Sequence, residues 1–409
     1  MTLDDPFVAA LAEGIADARD TDFFRLDDRL GPAELALRAK VRGFVEDSVL
    51  PVINHYWERA EFPFEVLPAF AELGVVGSQI EGYGCPGLTP LQAGIVTTEL
   101  ARGDGSLNTF MGVQSNLTMG TIALLGSEEQ KQRWLPRMAA LELIGAFALT
   151  EAAHGSDSVG LETTARREGD EWVLQGSKRW IGNASYAHVV VIWARDEADG
   201  KVKAFVMHRE PDEGFPAGYD AQVITGKIGK RAILQPDIRI DGLRIPESDR
   251  LPGANSFRDA GRVLERTRGG ASWESLGHAL AAFEIAAAYA SRREQFGGPI
   301  ARFQLVQSTL AQMVAELSAI QLMCHRMAEL QAEGTWTGTM ASITKLATAD
   351  KARRICQQAR DLLGGNGLLL DFHVARHLTD MEVVHTYEGT AQIQELLIGR
   401  AITGLSAFS

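Results

Sequence analysis

Three regions with different patterns of apolar residues follow one another along the 409 residues, and their order constrains the fold more than any single motif does. From Leu35 to about Ala146, apolar residues recur at spacings of three and four and the breaks fall at Pro and Gly, which predicts amphipathic helices. Between about Phe147 and Gly253, segments such as EWVLQGSKRWI and HVVVIWAR are rich in β-branched residues and end in Gly-, Asp- or Pro-rich turns, which predicts strands. From about Asn255 the helical spacing returns. The sequence therefore predicts an α+β chain in which a β domain separates two helical ones.

The last block contains three long helical patterns, over Val263–Arg293, Phe303–Ala332 and Met340–Leu363. In the second pattern, one face carries a stripe of apolar side chains. The stripe consists of Leu310, Met313, Val314, Leu317, Cys324 and Ala328. Because such a stripe is typical of helices in a bundle, we interpret these residues as core rather than as a ligand site.

Length and composition limit the class of protein. The chain is long enough for two or three domains, which we expect at 1–146 (N-terminal α-helical), 147–253 (middle β) and 254–409 (C-terminal helical bundle). A net charge of −13 argues against nonspecific binding to nucleic acid, because phosphate contacts need clustered Lys and Arg. The sequence holds no run of about 18 apolar residues that could span a bilayer. We therefore expect neither a nucleic-acid partner nor a membrane span.

Cysteine usage and the chain ends indicate a compartment. Cys85, Cys324 and Cys356 are few and widely spaced, so neither a disulfide framework nor a zinc site is indicated, and we expect no metal. The first residues, MTLDDPFVAALAEG, are acidic, which argues against a secretory or mitochondrial leader, and the final AFS is not a peroxisomal address. These features predict a cytoplasmic protein.

One carboxylate near the end of the chain, Glu388 in VVHTYEGTAQIQELLIGRAITG, lies between an aromatic residue and a glycine and is a candidate catalytic base. Tyr387 before it can shield the carboxylate from solvent, and Gly389 after it leaves the backbone open to a ligand. Both features suit proton abstraction. The alternative is a glutamate in the first turn of a helix, stabilised by the helix dipole, and first-turn carboxylates are common. The local pattern alone leaves both interpretations open.

Several turns of small residues could hold a ligand, and each also has a structural explanation. The stretch FALTEAAHGSDSVG offers Thr150 and Ser156 with backbone N–H groups, or is a surface loop. Trp180 in KRWIGN could cover a ring system, or pack within the β domain. Arg293 in SRREQFGGPIARFQ could bind pyrophosphate, or end a helix, and DLLGGNG after Asp361 could be a helix C-cap. Rossmann, P-loop and HExxH motifs are absent from the sequence.

The order of these motifs resembles that of the acyl-CoA dehydrogenase flavoproteins over residues 35–408. The motifs that carry the likeness are LTE-x-x-x-GSD, W-I-x-N, R-x-x-FG-x(6)-Q, GGNG and YEGT, in the order that the family has them. The likeness is greatest to the glutaryl-CoA dehydrogenase branch and to plant short-chain acyl-CoA oxidases. It implies an N-terminal helical domain, a middle β-barrel or β-sandwich domain and a C-terminal four-helix bundle, assembled as a homotetramer that holds FAD.

The resemblance assigns roles to residues at matching positions. Glu388 matches the family's base, and Ser156, Arg268 and Tyr387 match substrate contacts. The residues that would contact FAD lie mostly in the LTE-x-x-x-GSD, W-I-x-N, R-x-x-FG-x(6)-Q and GGNG motifs. Of these, Arg293, Phe296 and Gln304 would contact the FAD of a neighbouring subunit. The full FAD set is Leu149, Thr150, Ser156, Trp180, Ile181, Gly182, Arg293, Phe296, Gln304, Asp361, Gly364, Gly365, Thr390 and Gln392.

Four positions refine what the resemblance implies. Asn108 stands where glutaryl-CoA dehydrogenases have an arginine for the distal carboxylate, so a glutaryl group would bury an unpaired charge and we expect an uncharged acyl group. Thr267 stands where some relatives have their base, which leaves that role to Glu388. Gly182 replaces the threonine of most dehydrogenases, as in oxidases. His154 lies in a loop that departs from the family pattern, and we interpret it as a loop substitution.

The sequence thus predicts an enzyme of fatty acid metabolism that dehydrogenates a short- or medium-chain acyl-CoA to a trans-2-enoyl-CoA. Glu388 would remove the α-proton, a hydride would pass to flavin N5, and electrons would go to an electron-transfer flavoprotein. One alternative is an acyl-CoA oxidase that passes electrons to oxygen. Another is a noncatalytic acyl-CoA or flavin-binding protein, against which the intact YEGT motif argues, because a binder needs no base.

Overall fold

The computed structural model describes residues 22–407. The expected absence of a leader in the first 14 residues lies outside this range, as do the last two residues of the AFS ending. Within it, a helical region, a curled sheet and a second helical region follow one another, which confirms the predicted α+β architecture. No helix in residues 22–407 is long and apolar enough to cross a membrane. Those residues also contain no cluster of three or more potential metal ligands.

The N-terminal region is built from helices whose ends follow local capping rules. Thr89 and Ser127 each begin a helix with a reciprocal capping box, and Asp104 caps a third helix by accepting from the N–H of Leu107. The helices are α1 Pro32–Phe44, α2 Leu50–Arg59, α3 Leu67–Glu72, α4 Pro90–Gly103, α5 Gly105–Met111, α6 Gly120–Leu125 and α7 Glu128–Ala139. A short hairpin, β1 Glu81–Gly82 and β2 Cys85–Pro86, lies between α3 and α4.

Two π-helical segments interrupt otherwise continuous helices of this region. Val45–Val49 joins α1 to α2, and Gly112–Met119 joins α5 to α6. The apolar spacing in the sequence does not distinguish a π-segment from an α-helix, so neither was predicted. Such segments occur often at functional sites, and the second one does lie against the candidate site described below.

The middle region is one seven-stranded sheet in which β6 pairs with three other strands. On one edge β6 pairs in parallel with β3 and β4, and on the other it pairs antiparallel with β7. All but one of the residues of β6 are buried, which explains the continuous apolar run in its sequence. The strands are β3 Gly145–Ala148, β4 Thr164–Glu168, β5 Glu171–Lys178, β6 Val189–Asp196, β7 Val202–His208, β8 Tyr219–Val223 and β9 Pro236–Pro246. The sheet thus begins at Gly145, two residues before the expected boundary.

The C-terminal region is a bundle in which α10 packs against α8, α9 and α11, while α12 lies on its outer side. Its helices are α8 Phe257–Arg292, α9 Gln304–Ala332, α10 Gly338–Leu362, α11 Val374–Thr386 and α12 Ala391–Thr403. A hairpin of β10 Glu294–Gln295 and β11 Gly298–Pro299 joins α8 to α9. The stripe predicted on α9 is confirmed as core, since four of its six residues are buried and Leu310 and Val314 are partly buried against them.

Close contacts between regions fix where the site forms. Helix α8 packs on α4 at two glycines, and a Cβ at Gly277 would lie 2.4 Å from the carbonyl oxygen of Thr98. The loop between β8 and β9 reaches α11, where a Cβ at Gly229 would lie 2.3 Å from the carbonyl oxygen of Thr379. Because glycine has no side chain, both approaches place backbone against backbone. The next residue of the loop, Lys230, is thereby carried into the junction of all three regions.

Candidate active site

Glu388 lies in the short link between α11 and α12. Its backbone is left-handed, with φ of +56°, which is uncommon for a residue other than glycine. The partly buried carboxylate accepts a hydrogen bond from the Thr267 hydroxyl on α8 at 3.0 Å. Helix α12 begins at Ala391 with Thr390 as its cap, so Glu388 precedes the helix and is not a first-turn residue. The candidate base and the threonine at the alternative base position are therefore in direct contact.

Buried side chains hold the backbone of this link. The Lys345 ammonium donates to the carbonyl oxygens of His385 at 3.1 Å and Gly389 at 2.8 Å. The Gln394 amide donates to the carbonyl oxygens of Glu388 at 2.9 Å and Gly389 at 3.1 Å. A Cβ at Gly389 would lie 2.4 Å from the Gln394 amide nitrogen, and Gly389 has φ of +84°. Glycine is therefore the residue that this position of the link requires.

The electrostatic environment of Glu388 suits a base that takes up a proton. Burial raises its pKa above the ordinary value of 4.5, and the charge of Glu274 acts in the same direction. The Thr267 hydrogen bond and the charges of Arg268 and Lys345 oppose the shift. Burial also lowers the pKa of Lys345 to about 8, although the charge of Glu388 opposes this.

A second group of predicted residues meets at the ends of β3 and β5. Leu149 and Thr150 follow β3, and the Thr150 carbonyl oxygen accepts from the N–H of Arg179 at 2.8 Å. Trp180 has φ of +64° and is 47% exposed, and the Arg179 guanidinium lies 5.2 Å from its ring centre. Ile181 is buried beside it. A large exposed aromatic held in this backbone conformation fits a planar ring system such as a flavin.

The loop after Thr150 is fixed by a buried ion pair. Glu151 bonds to the Lys178 ammonium at 2.7 Å and accepts from the N–H groups of Glu162 and Thr163. Burial opposes ionisation of Glu151, but these partners hold its pKa at about 2. Ser156 is exposed further along this loop, whereas His154 packs back, 3.4 Å from Glu162. This geometry supports the interpretation of His154 as a loop substitution.

The segment from α5 to the π-segment connects these two groups. Val113 faces the turn of Trp180, because a Cβ at Gly182 would lie 3.1 Å from a Val113 methyl group. One turn earlier, the Thr109 hydroxyl accepts from the Lys230 ammonium at 2.7 Å. Asn108, the residue before Thr109, is 7% exposed. The asparagine from which we expect an uncharged acyl group thus lies on this connecting segment.

The remaining predicted FAD contacts lie on the bundle surface. Arg293, Phe296, Gln304, Asp361, Gly364 and Gly365 are all exposed, Phe296 at 88%. A groove of about 370 Å³ between α9 and α10 is lined in part by Leu305 and Asp361. Helix α8 is unbroken between Thr267 and Arg292, so these two residues lie roughly 37 Å apart along its axis. Residues near Arg293 therefore cannot reach the candidate base beside Thr267 of the same chain.

A second groove, of about 420 Å³, opens between α8, α10 and α12. Two arginines, Arg268 and Arg400, and the hydroxyl residues Thr339 and Ser342 line it together with small and apolar residues. The Arg268 Nε is buried and has no hydrogen-bond partner among residues 22–407. Such a donor set suits an anionic group such as a phosphate. Thr390 and Gln392, also expected near phosphates, lie at the start of α12, with Gln392 exposed.

Sequence reasoning missed four residues at the site, namely Lys230, Glu274, Lys345 and Gln394. Glu274 in ASWESLGHALAA and Lys345 in ASITKLATA are single charges within apolar helical stretches. Because a charged residue is almost never fully buried unless it is paired, these two positions carried a usable signal. Lys230 and Gln394 lie in ordinary polar surroundings, and the sequence offers no comparable sign of their burial.

A helical, β, helical chain with a partly buried carboxylate and an exposed tryptophan at its domain junction has the features of a flavin-dependent oxidoreductase. Models of the N-terminal, middle and C-terminal domains of acyl-CoA dehydrogenases match residues 31–142, 146–242 and 257–403. The chain therefore belongs to the acyl-CoA dehydrogenase family. Its members are enzymes that use FAD to dehydrogenate acyl-CoA thioesters.

Individual relatives agree with this assignment over most of the chain. The short-chain specific acyl-CoA dehydrogenase of Bos taurus mitochondria is 34% identical over 368 residues, which is 88% of each chain. The structure of glutaryl-CoA dehydrogenase from Mycobacterium smegmatis is similar with a TM-score of 0.91 and 38% identity, over 95% of this chain and 99% of that one. A second structure of a glutaryl-CoA dehydrogenase from that organism, in complex with FADH2, has a TM-score of 0.91 and 36% identity over the same shares.

Proposed function

We propose that the enzyme converts an uncharged, short- to medium-chain acyl-CoA to the trans-2-enoyl-CoA, with Glu388 as the base. The observation that carries this proposal is the hydrogen bond at 3.0 Å between Glu388 and Thr267, because it joins the two positions where relatives have a base and one of them is a threonine. When bound, FAD supplies the acceptor for the hydride that leaves the β-carbon. Glu388 takes the α-proton, and its own N–H is assigned to the thioester carbonyl.

The proposed acyl group is uncharged because the cations on the elements that adjoin α5, the helix of Asn108, are already paired. Lys230 bonds to Glu274, Arg102 to Glu284 and Arg376 to Asp104, and all of these side chains are nearly or fully buried. A distal carboxylate on the substrate would find no unpaired cation in this set. Burying that carboxylate without a partner costs on the order of several kcal/mol. This argument separates the chain from glutaryl specificity despite the similar fold. Turnover of a panel of acyl-CoAs, with glutaryl-CoA included, tests it.

Contacts with the acyl-CoA substrate are assigned to Arg268, Ser156 and Tyr387, with the groove of Arg268 and Arg400 on the side of its phosphates. The flavin ring is assigned to Leu149, Thr150, Trp180, Ile181 and Gly182. The rest of FAD is assigned to Thr390, Gln392 and six exposed residues of the bundle. The bundle residues would contact FAD across a subunit boundary in a homotetramer, and they are Arg293, Phe296, Gln304, Asp361, Gly364 and Gly365. An electron-transfer flavoprotein is the proposed acceptor, and the cytoplasm is the proposed location.

The second candidate, an acyl-CoA oxidase, is favoured by one observation. A Cβ at Gly182 would lie 3.1 Å from a Val113 methyl group, so Val113 crowds the place of the threonine that most dehydrogenases have. The position beside the proposed flavin ring therefore carries no hydroxyl side chain, as in oxidases. Stoichiometric peroxide from acyl-CoA and oxygen, with no acceptor protein present, would decide for the oxidase. Peroxide below a few per cent of turnover would decide against it.

The decisive test of the base is Glu388→Gln in the FAD-loaded enzyme. Because the amide keeps the shape but cannot take a proton, we expect anaerobic flavin bleaching by acyl-CoA to fall by about 10⁴-fold or more while bound FAD is retained. Glu395→Gln is the matched control, since Glu395 is an exposed residue of α12. Wild-type bleaching in the Glu388 variant would refute the proposal.

A further inference from the structure

A buried ion pair that no motif indicated stands directly behind the link of the candidate base. The Lys230 ammonium bonds to the Glu274 carboxylate, and the two side chains are 0% and 4% exposed. Lys230 comes from the β8–β9 loop, with φ of +45°, and Glu274 comes from the middle of α8. Removing two charges from water is costly, so a pair placed here without a specific use would weaken the fold relative to apolar residues.

The hydrogen bonds of this pair form a closed set around Tyr387. The Lys230 ammonium donates to the Thr109 hydroxyl at 2.7 Å, to the Tyr387 hydroxyl at 2.6 Å and to one oxygen of Glu274. The Tyr387 hydroxyl donates to the other oxygen of Glu274. An ammonium has three N–H donors, and all three are used. The pair therefore presents no free donor to a substrate, and its action on the site passes through the tyrosine.

Tyr387 is the residue before Glu388, so its anchoring bears on the position of the carboxylate. Glu388 has the left-handed backbone described above, a conformation that costs of order 1 kcal/mol or more and persists only where neighbours enforce it. Lys345 and Gln394 hold backbone carbonyl groups of the link, and Thr267 holds the carboxylate itself. The Tyr387 hydroxyl adds a side-chain anchor at the residue directly before Glu388.

We propose that Lys230 and Glu274 are positioning residues, which fix the Tyr387 hydroxyl and thereby hold the Glu388 carboxylate where it meets the substrate. The inference rests on the proposed role of Glu388 as base. It assigns to the pair a role in the rate of proton removal and none in substrate affinity. Thr109, Lys230, Glu274 and Tyr387 come from the N-terminal helices, the middle domain and two parts of the bundle, so the base is positioned only when all three regions are docked.

The test compares Lys230→Met, Glu274→Leu and Glu274→Gln in the FAD-loaded, full-length enzyme. We expect Lys230→Met and Glu274→Leu to slow anaerobic flavin reduction by about 10²-fold, as a misplacement of about 1 Å can, with KM changed less than about threefold. Glu274→Gln keeps an acceptor for Tyr387 and should retain most of the rate. A rise in KM at unchanged kcat, or an equal loss in the glutamine and leucine variants, would overturn the proposal.

Tyr387→Phe keeps the test decisive if a buried-pair variant fails to fold or to hold FAD. It removes one hydroxyl, through which the network reaches the base, and we expect a similar loss in flavin reduction. A wild-type reduction rate in Tyr387→Phe would overturn the positioning role. Glu388→Gln separates this inference from the proposed function, because an active Glu388 variant refutes the base, whereas an inactive one beside an active Tyr387 variant refutes the positioning alone.

Discussion

At the scale of single residues, the site depends on a carboxylate in a backbone conformation that carboxylates rarely adopt. Glu388 is held there by bonds to its side chain, to its carbonyl and to the next carbonyl, made by Thr267, Gln394 and Lys345. Strain of this kind is found where surrounding structure over-determines a position. A base that is fixed in this way needs no rearrangement when substrate arrives, which is the property that orientation-based catalysis requires.

The protonation of Glu388 gives a prediction about pH. The base acts as the carboxylate, so flavin reduction should fall as pH falls through a pKa above 4.5. Thr267→Val removes a hydrogen bond to the charged form, which should move this fall to higher pH by up to about one unit. Anaerobic stopped-flow rates check this shift. They are measured between about pH 5 and 7.5, below the pKa of Lys345. Thr386→Val, at an exposed threonine, should leave the profile in place; a profile that is unchanged in the Thr267 variant contradicts the expectation.

At the scale of elements, the π-segment Gly112–Met119 and the turn after β5 are packed against each other at Val113 and Gly182. The wider turn of a π-segment changes which side chains a helix presents to its neighbour. A pattern of apolar spacing assumes a uniform helix and cannot predict this contact. The glycine at the turn is visible in the sequence, but its reason is visible only with Val113 beside it.

Gly182→Thr should therefore destabilise the protein by about 1–3 kcal/mol through crowding against Val113. Val113→Ala makes room, so the double variant should lose less than the sum of the two single losses, by at least about 1 kcal/mol. Denaturant unfolding of the four proteins of this cycle measures the coupling. Additive losses would mean that Val113 does not limit the space beside Gly182.

At the scale of the whole molecule, the sequence predicted the order of regions and, through ordered motifs, most of the residues at the Trp180 turn and the Glu388 link. It did not predict the network behind the link, because Lys230 bonds to partners 44, 121 and 157 residues away and no local pattern marks such pairs. Two of the four missed residues were single charges in apolar helices, which is a signal that periodicity can use. The separation of Arg293 from Thr267 followed only from the unbroken length of α8.

That separation predicts complementation between subunits. If each centre combines Glu388 of one chain with Arg293 of another, then Glu388→Gln and Arg293→Glu chains expressed together should form pairs with one intact centre. Random association should restore about a quarter of wild-type activity, measured per subunit in the purified mixed oligomer. Glu388→Gln expressed with a Glu388→Ala chain is the control and should restore none. No activity in the mixed oligomer would refute a centre shared between chains.

The length of α8 also limits how genes of this family can change. One inserted residue between Thr267 and Arg292 would turn the far end of the helix by about 100° and shift it by about 1.5 Å. Thr267 and Arg293 could then not both keep their positions. Insertions and deletions should therefore be tolerated in surface turns without an assigned ligand contact, such as the β1–β2 hairpin, and be selected against in this helix. Its residue count should be inherited almost unchanged while those turns diverge in length.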